Sequence, residues 1–294
     1  MGSSANGSRI QDLRSGSTPK KLRVTADDFG FTPGVTDGIL EAHERGIVTH
    51  TSLMAGGLDF DRAAALAREK PTLGVGVHLT LTWGRPLTSP ADIPSLMGAA
   101  GRLAPLGEIL RRFITGRLDR GEVAREWRAQ MERVTRSGIT PSHVDSHHHL
   151  HLLPGLLPVA ARLAEEYGVS WLRRPAEPLA GDYRTALVKR VVFRMLTLRP
   201  WPLPTSRAFR GLTLQGRRDF LHRLQEALRR LPPGLTEFMV HPGRPDALLA
   251  AEDTYVRERE AELRALVAPA VKNLVGDLEI ELDRPSGKSA ETPA

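Results

Sequence analysis

The chain has 294 residues, 40% of them hydrophobic, a formal charge of +7 and no cysteine. That is enough apolar chain for one large α/β domain or two small ones. It excludes disulfides and thiolate-held metal, so any metal must be held by His and carboxylates. No apolar run approaches the ~20 residues that span a bilayer. The positive charge sits on arginines scattered beside Glu, as in Arg125–Glu126 and Arg257–Glu258–Arg259–Glu260, and not interleaved with aromatics, which argues against a nucleic-acid partner.

In chain order, residues 1–20 are Ser/Gly-rich and lack the apolar core of a secretory signal, so they read as a disordered lead or tag, and the cytoplasm is the expected location. Residues 22–26 form an apolar run that ends in two carboxylates. Residues 35–45 have helical spacing, 47–54 are strand-like, 61–69 are helical and 73–79 read as a strand. A long Pro- and Gly-rich loop follows at 80–107. Residues 140–147 are a strand, about 154–167 a helix, and 169–172 a short strand. An insertion at 180–204 is apolar but studded with Lys189, Arg190 and Arg194. Strands at 236–240 and 278–282 complete the pattern, and 285–294 read as a flexible tail. Strands separated by helices predict parallel β/α units. The expected fold is one α/β, (β/α) barrel-like domain over 21–284, irregular in outline, with long loops at the C-terminal strand ends. An open doubly wound sheet is the alternative, and the lack of G-x-G-x-x-G after the first strand argues against a dinucleotide site.

Several strands end in ionisable groups: Asp27–Asp28, His78, the run His147–His148–His149–Leu150–His151, and His241. A barrel brings all C-terminal strand ends to one face, where active sites sit. Adjacent residues of a strand point to opposite sides, so one of Asp27 and Asp28 can ligate a metal while the other stands by its water. Two histidines and a carboxylate make an open metal site, and a histidine opposite can protonate a leaving amine. The bland readings are an Asp–Asp pair capping the helix after Thr32–Pro33, a core histidine at 78 and a His-rich surface turn. Spacing does not choose a ligand among His147, His148, His149 and His151.

In this order the residues resemble the YdjC-type carbohydrate deacetylases, which include chito-oligosaccharide deacetylases and proteins associated with hopanoid biosynthesis. The matching text is Thr25-Ala-Asp-Asp-Phe-Gly30, Gly46-Ile-Val-Thr-His-Thr-Ser-Leu-Met54, Gly76-Val-His-Leu-Thr-Leu-Thr82, Gly84-Arg-Pro86, Ser142-His-Val-Asp-Ser-His-His-His-Leu-His151, Glu237-Phe-Met-Val-His-Pro-Gly243 and Tyr255 with Arg257-Glu-Arg-Glu260. The resemblance implies one divalent metal, described as magnesium for the family although imidazole ligands suit zinc better. It implies Asp28, His78 and His147 as ligands, Asp27 as general base and His241 as general acid. It also suggests Arg173 near the substrate. This chain departs from the pattern at Thr25, where many members have Asn, and at His50, where many have a small residue, so His50 is expected as a polar contact to substrate.

The expected activity is removal of an N-acetyl group from an amino sugar in an oligosaccharide or glycolipid. A metal-dependent phosphoesterase and a non-catalytic sugar- or lipid-binding protein are the competing readings. Residues 184–199 mix apolar residues with cations, which suits either a peripheral membrane contact or a barrel helix whose Arg stems cover apolar neighbours. A homo-oligomer is compatible with the sequence.

Overall fold

The computed structural model describes residues 18–178 and 187–285. Most of the expected lead and tail, and residues 180–186 of the expected insertion, lie outside the described residues. The elements are β1 (Lys20–Phe29), α1 (Pro33–Arg45), β2 (His50–Leu53), α2 (Phe60–Arg68), β3 (Gly74–Leu79), α3 (Leu106–Ile114), α4 (Arg120–Arg136), β4 (Val144–Ser146), α5 (Leu157–Glu166), α6 (Leu187–Leu196), β5 (Ala208–Arg210), α7 (Phe220–Arg229), β6 (Gly234–Val240), α8 (Ala247–Glu252), α9 (Arg257–Leu266), α10 (Pro269–Asp277) and β7 (Glu281–Leu282). The Arg/Glu pairs expected on helices fall in α4 and α9.

All pairings in the sheet are parallel, in the order β4-β3-β2-β1-β6-β5, with β7 on the first residues of β1. The first strand therefore meets both its successor and a late strand, so the sheet curls back on its own start as in a (β/α) barrel. The curl is a half-barrel. The strand expected at 169–172 reduces to a single bridge from Leu172 to Val144. The strand expected at 140–147 is ordered only over β4, because the chain leaves the extended conformation after Ser146.

Strand alternation sorts the residues into two environments. Leu22, Val24 and Ala26 of β1, Val75, Val77 and Leu79 of β3, and Phe238 and Val240 of β6 face outward. They pack in one core with Val35 and Ile39 of α1, Val123, Trp127 and Met131 of α4, and Leu263 of α9. Polar residues on the inward face bond across the lumen. Thr25 donates to Glu237 at 3.1 Å, and Ser52 donates to Asp145 at 2.6 Å.

Two glycines of β3 make room for histidines in this lumen. A Cβ on Gly74 would stand 2.2 Å from the His50 ring, and one on Gly76 would stand 2.5 Å from the His143 ring. Both rings are buried, low in the barrel. Overfilling such a site costs about 1–3 kcal/mol. Gly76→Ala should lower the unfolding free energy, read from a urea titration, by that much; an unchanged value would show that the His143 ring moves aside freely.

Candidate active site

The end of β1 departs from regular geometry where the chemistry begins. Asp28 has φ +70°, and the β1–β2 register shifts between Ala26 and Phe29. In a continuous strand Asp27 and Asp28 would point to opposite sides, as the sequence suggests. The left-handed backbone instead returns Asp28 to the lumen, where Asp27 already lies. Such a conformation is costly for a non-glycine residue and marks a functional position. Neither carboxylate caps α1; the Thr32 side chain does, accepting from Val35 N.

The histidines of the long run part company. His148 and His149 both have φ +56°, so alternation stops after Ser146. His147 turns to Asp28, its Nδ1 3.2 Å from Oδ1, and keeps a side chain 20% exposed. His148 lies 3.0 Å from the Thr82 hydroxyl. His149 is buried edge-on to Phe193 and Phe209. His151 meets Ser146 Oγ and the Arg173 carbonyl. On the facing strand, His78 Nε2 lies 3.4 Å from Asp28 Oδ1, and His78 Nδ1 lies 2.7 Å from Asp145 Oδ1.

Beneath these groups lies Arg173, with no exposed surface. It holds Asp27 with two bonds, Nη1 to Oδ2 at 2.7 Å and Nη2 to Oδ1 at 2.8 Å. It also reaches Asp145 Oδ2 at 2.8 Å and Glu237 Oε1 at 2.8 Å. Arg259 does the same service for Asp28, with Nη2 2.7 Å from Oδ2. Burial raises the Asp27 carboxyl to about 6, against the opposing charge of Arg173. That is a suitable range for a general base. Burial works the same way on Asp28, but the Arg259 charge and the two imidazoles outweigh it and hold Asp28 well below the usual carboxylate range.

The donors fit a divalent metal. Ligand atoms of Asp28, His78 and His147 lie within 4.8 Å of one another. Asp28 Oδ1 is buried between the two imidazoles and accepts no hydrogen bond. The carboxylates of Asp27, Asp28, Asp145 and Glu237 are buried around the guanidiniums of Arg173 and Arg259, surroundings that favour a further cation. Asp145 behind His78 is the outer carboxylate that usually orients a ligating imidazole. Asp27, His78 and Asp145 also lie within such reach of one another. Their carboxylate oxygens, however, are engaged by Arg173, Ser52 and His78 itself, so the Asp28 set is the better cage.

The site opens into a cavity of about 370 Å³. His241 lines it, its Nε2 3.9 Å from Asp27 Oδ2, and burial holds its imidazole down to about 3. Its backbone N–H donates to Glu262, which also takes the Tyr255 hydroxyl at 2.5 Å. Also in the lining, Trp83 packs on Phe31 at 4.5 Å and donates to Glu252, which Arg102 also grips. The loop expected at 80–107 to build the pocket thus supplies Thr82 and Trp83 to its lining.

The two residues expected at the substrate, Arg173 and His50, do not line the cavity. Arg173 is near the site but wholly enclosed by carboxylates and absent from the cavity wall. His50 sits at the start of β2, against Gly74 and 5.9 Å from the His143 ring, at the wrong end of the strand for the cavity. Asp145, Glu237 and Arg259 were not among the sequence candidates. The first two carry a legible signal, since alternation places Asp145 with His147, and Glu237 with His241, on one strand face. Arg259 has no strand pattern to mark it, lying in a helix of alternating Arg and Glu, and its one signal is that 257–260 belongs to the text that resembles the family.

The profile of the YdjC-like protein family matches residues 21–277. A carbohydrate deacetylase of Geobacillus stearothermophilus is 40% identical over 260 residues, 86% of this chain and 91% of that protein. A chitooligosaccharide deacetylase of Yersinia pestis is 35% identical over 254 residues, 86% of this chain and 93% of that protein. A solved structure from Enterococcus faecalis, described as a candidate cellobiose-phosphate cleavage protein, superposes with a TM-score of 0.74 at 30% identity, over 90% of this chain and 97% of that one. The chain belongs to the YdjC-like family.

Removing the buried guanidinium would take from Asp27 both bonds of its bidentate grip, and from Glu237 and Asp145 their cationic arginine partner. Arg173→Ala should cost about 3–5 kcal/mol in urea unfolding. A loss within the range of an ordinary surface substitution would mean that the carboxylates are not held ionised against Arg173.

Proposed function

We propose that this member of the YdjC-like family is a metal-dependent hydrolase that removes the N-acetyl group of an amino sugar. The observation that carries the reading is Asp28 Oδ1, buried without a hydrogen bond between His78 and His147 and next to the Asp27 carboxylate. The names of the relatives support the carbohydrate substrate, and the Phe31, Trp83 and Tyr255 rings give the cavity apolar walls suited to a sugar face.

Asp28, His78 and His147 would hold the ion, zinc by the softness of two imidazoles or magnesium. When bound, a divalent ion acidifies a water and polarises the acetyl carbonyl. Asp27 takes the proton of the attacking water as the new C–O bond forms. Its pKa of about 6 keeps it ionised and ready near neutral pH. His241 is neutral at rest because burial disfavours its charge. It therefore acts as an acid only after receiving a proton, and Asp27 Oδ2 at 3.9 Å is the nearby source. The C–N bond breaks as the amine nitrogen takes that proton, and acetate and the free amino sugar leave. No helix among the described residues is long and apolar enough to cross a membrane; a cytoplasmic location is part of this reading.

The roles separate by experiment. Asp27→Asn should keep its metal and lose about 10²–10⁴-fold in turnover; loss of metal with the activity would move Asp27 into the ligand set. His147→Ala should lower metal content by elemental analysis, and full occupancy would remove His147 from that set. An acetate-release screen over N-acetylated glycans and glycolipids, run with phosphate release from phosphate esters, should give acetate alone, restored after chelation by zinc or magnesium. Phosphate without acetate would replace the deacetylase reading with a phosphoesterase.

A further inference from the structure

The helix α6 sits at the mouth of the cavity and has two unlike sides. On one side Lys189 lines the cavity, and Phe193 packs 5.2 Å from His149 and joins the cluster of Phe209, Leu212 and Met239. On the other side Val188 is 78% and Met195 67% exposed, with Leu187, Val191 and Val192 also open to solvent. Leu198, just past the helix, is 71% exposed.

At about 100° per residue, the exposed apolar side chains of the helix fall within one sector of about 140°. By the same rotation, the exposed cations Lys189 and Arg194 lie outside that sector on either side. Scattered exposed apolar residues are ordinary, but a contiguous stripe marks an interaction surface.

Charge selects the occupant. The helix itself, residues 187–196, carries no Asp or Glu, and its exposed charged residues are the cations Lys189 and Arg194. A second copy docking face to face on this stripe would set these cations against their own kind. A lipid surface with anionic headgroups instead takes the apolar stripe into the acyl boundary and the flanking cations at headgroup level.

We propose that α6 docks the protein on an anionic phospholipid surface, with the cavity mouth turned to the headgroup layer. This does not depend on the hydrolase reading, because the contact is read without any turnover.

The test is flotation of the full chain with vesicles of phosphatidylcholine alone and of phosphatidylcholine with phosphatidylglycerol, at low and high salt. The wild type should float with the anionic vesicles at low salt, and at least about tenfold less with neutral vesicles or at high salt. The double variant Val188→Asp with Met195→Asp should lose about tenfold or more of the binding, with its thermal unfolding and metal content unchanged. Failure of the wild type to float, or equal flotation of the folded variant, would overturn the proposal. So would a wild-type dimer that the variant dissociates, with no vesicle binding by either, which would assign the stripe to self-association.

Discussion

One guanidinium holds the interior together. Arg173 engages Asp27, Asp145 and Glu237 from three separate strands, with no exposed surface of its own. Without a cation there, the carboxylates would repel one another and protonate to relieve the cost of burial. Arginine suits the place because its planar fork reaches several acceptors at fixed angles while keeping its charge. A lysine offers a single point of charge. The bidentate grip also fixes the orientation of Asp27, and the charge of Arg173 limits how far burial can raise its carboxyl.

That ionic centre explains the division of labour in the sheet. Stability comes from the outward face, where aliphatic strand residues meet α1, α4 and α9 in one apolar core. The lumen is given over to charge, and its layers run from His50 and His143 at the bottom through Ser52 and Asp145 to Asp27 and His78 at the top. At the upper rim of this column the backbone turns left-handed, at Asp28 and at His148–His149. There the need to aim carboxylate and imidazole at one point outweighs the local preference for extended chain.

Much of this was legible in the sequence because parallel strands deliver their ends to one place. The apolar runs located most strands, and the ionisable residues at their ends, Asp28, His78 and His147, do come together. What alternation could not foresee is a break in alternation: Asp27 and Asp28 share a side because Asp28 is left-handed. Arg173 was legible as a neighbour of the site and expected near the substrate, but a lone arginine after a strand gives no sign of the three carboxylates that enclose it. His50 was placed by residue type, whereas its position at the start of β2 puts it at the far end of the barrel. Arg259 comes from a helix whose repeating Arg and Glu look like a solvated face. Only the return of α9 over Gly243, where a Cβ would stand 3.2 Å from the arginine, brings it to Asp28.

The link from Trp83 through Glu252 to Arg102 bears on how a ligand is received. Trp83 belongs to the long loop after β3, and Glu252 ends α8, so the bond at 3.0 Å ties together two pieces of chain that are 169 residues apart. Phe31 backs the indole from behind. A wall braced in this way is in place before any ligand arrives, and the side chains in it have already lost their rotational freedom on folding. A bound sugar ring would then not have to order its own receptor, and discrimination would fall to the fit between a rigid slot and the shape that enters it.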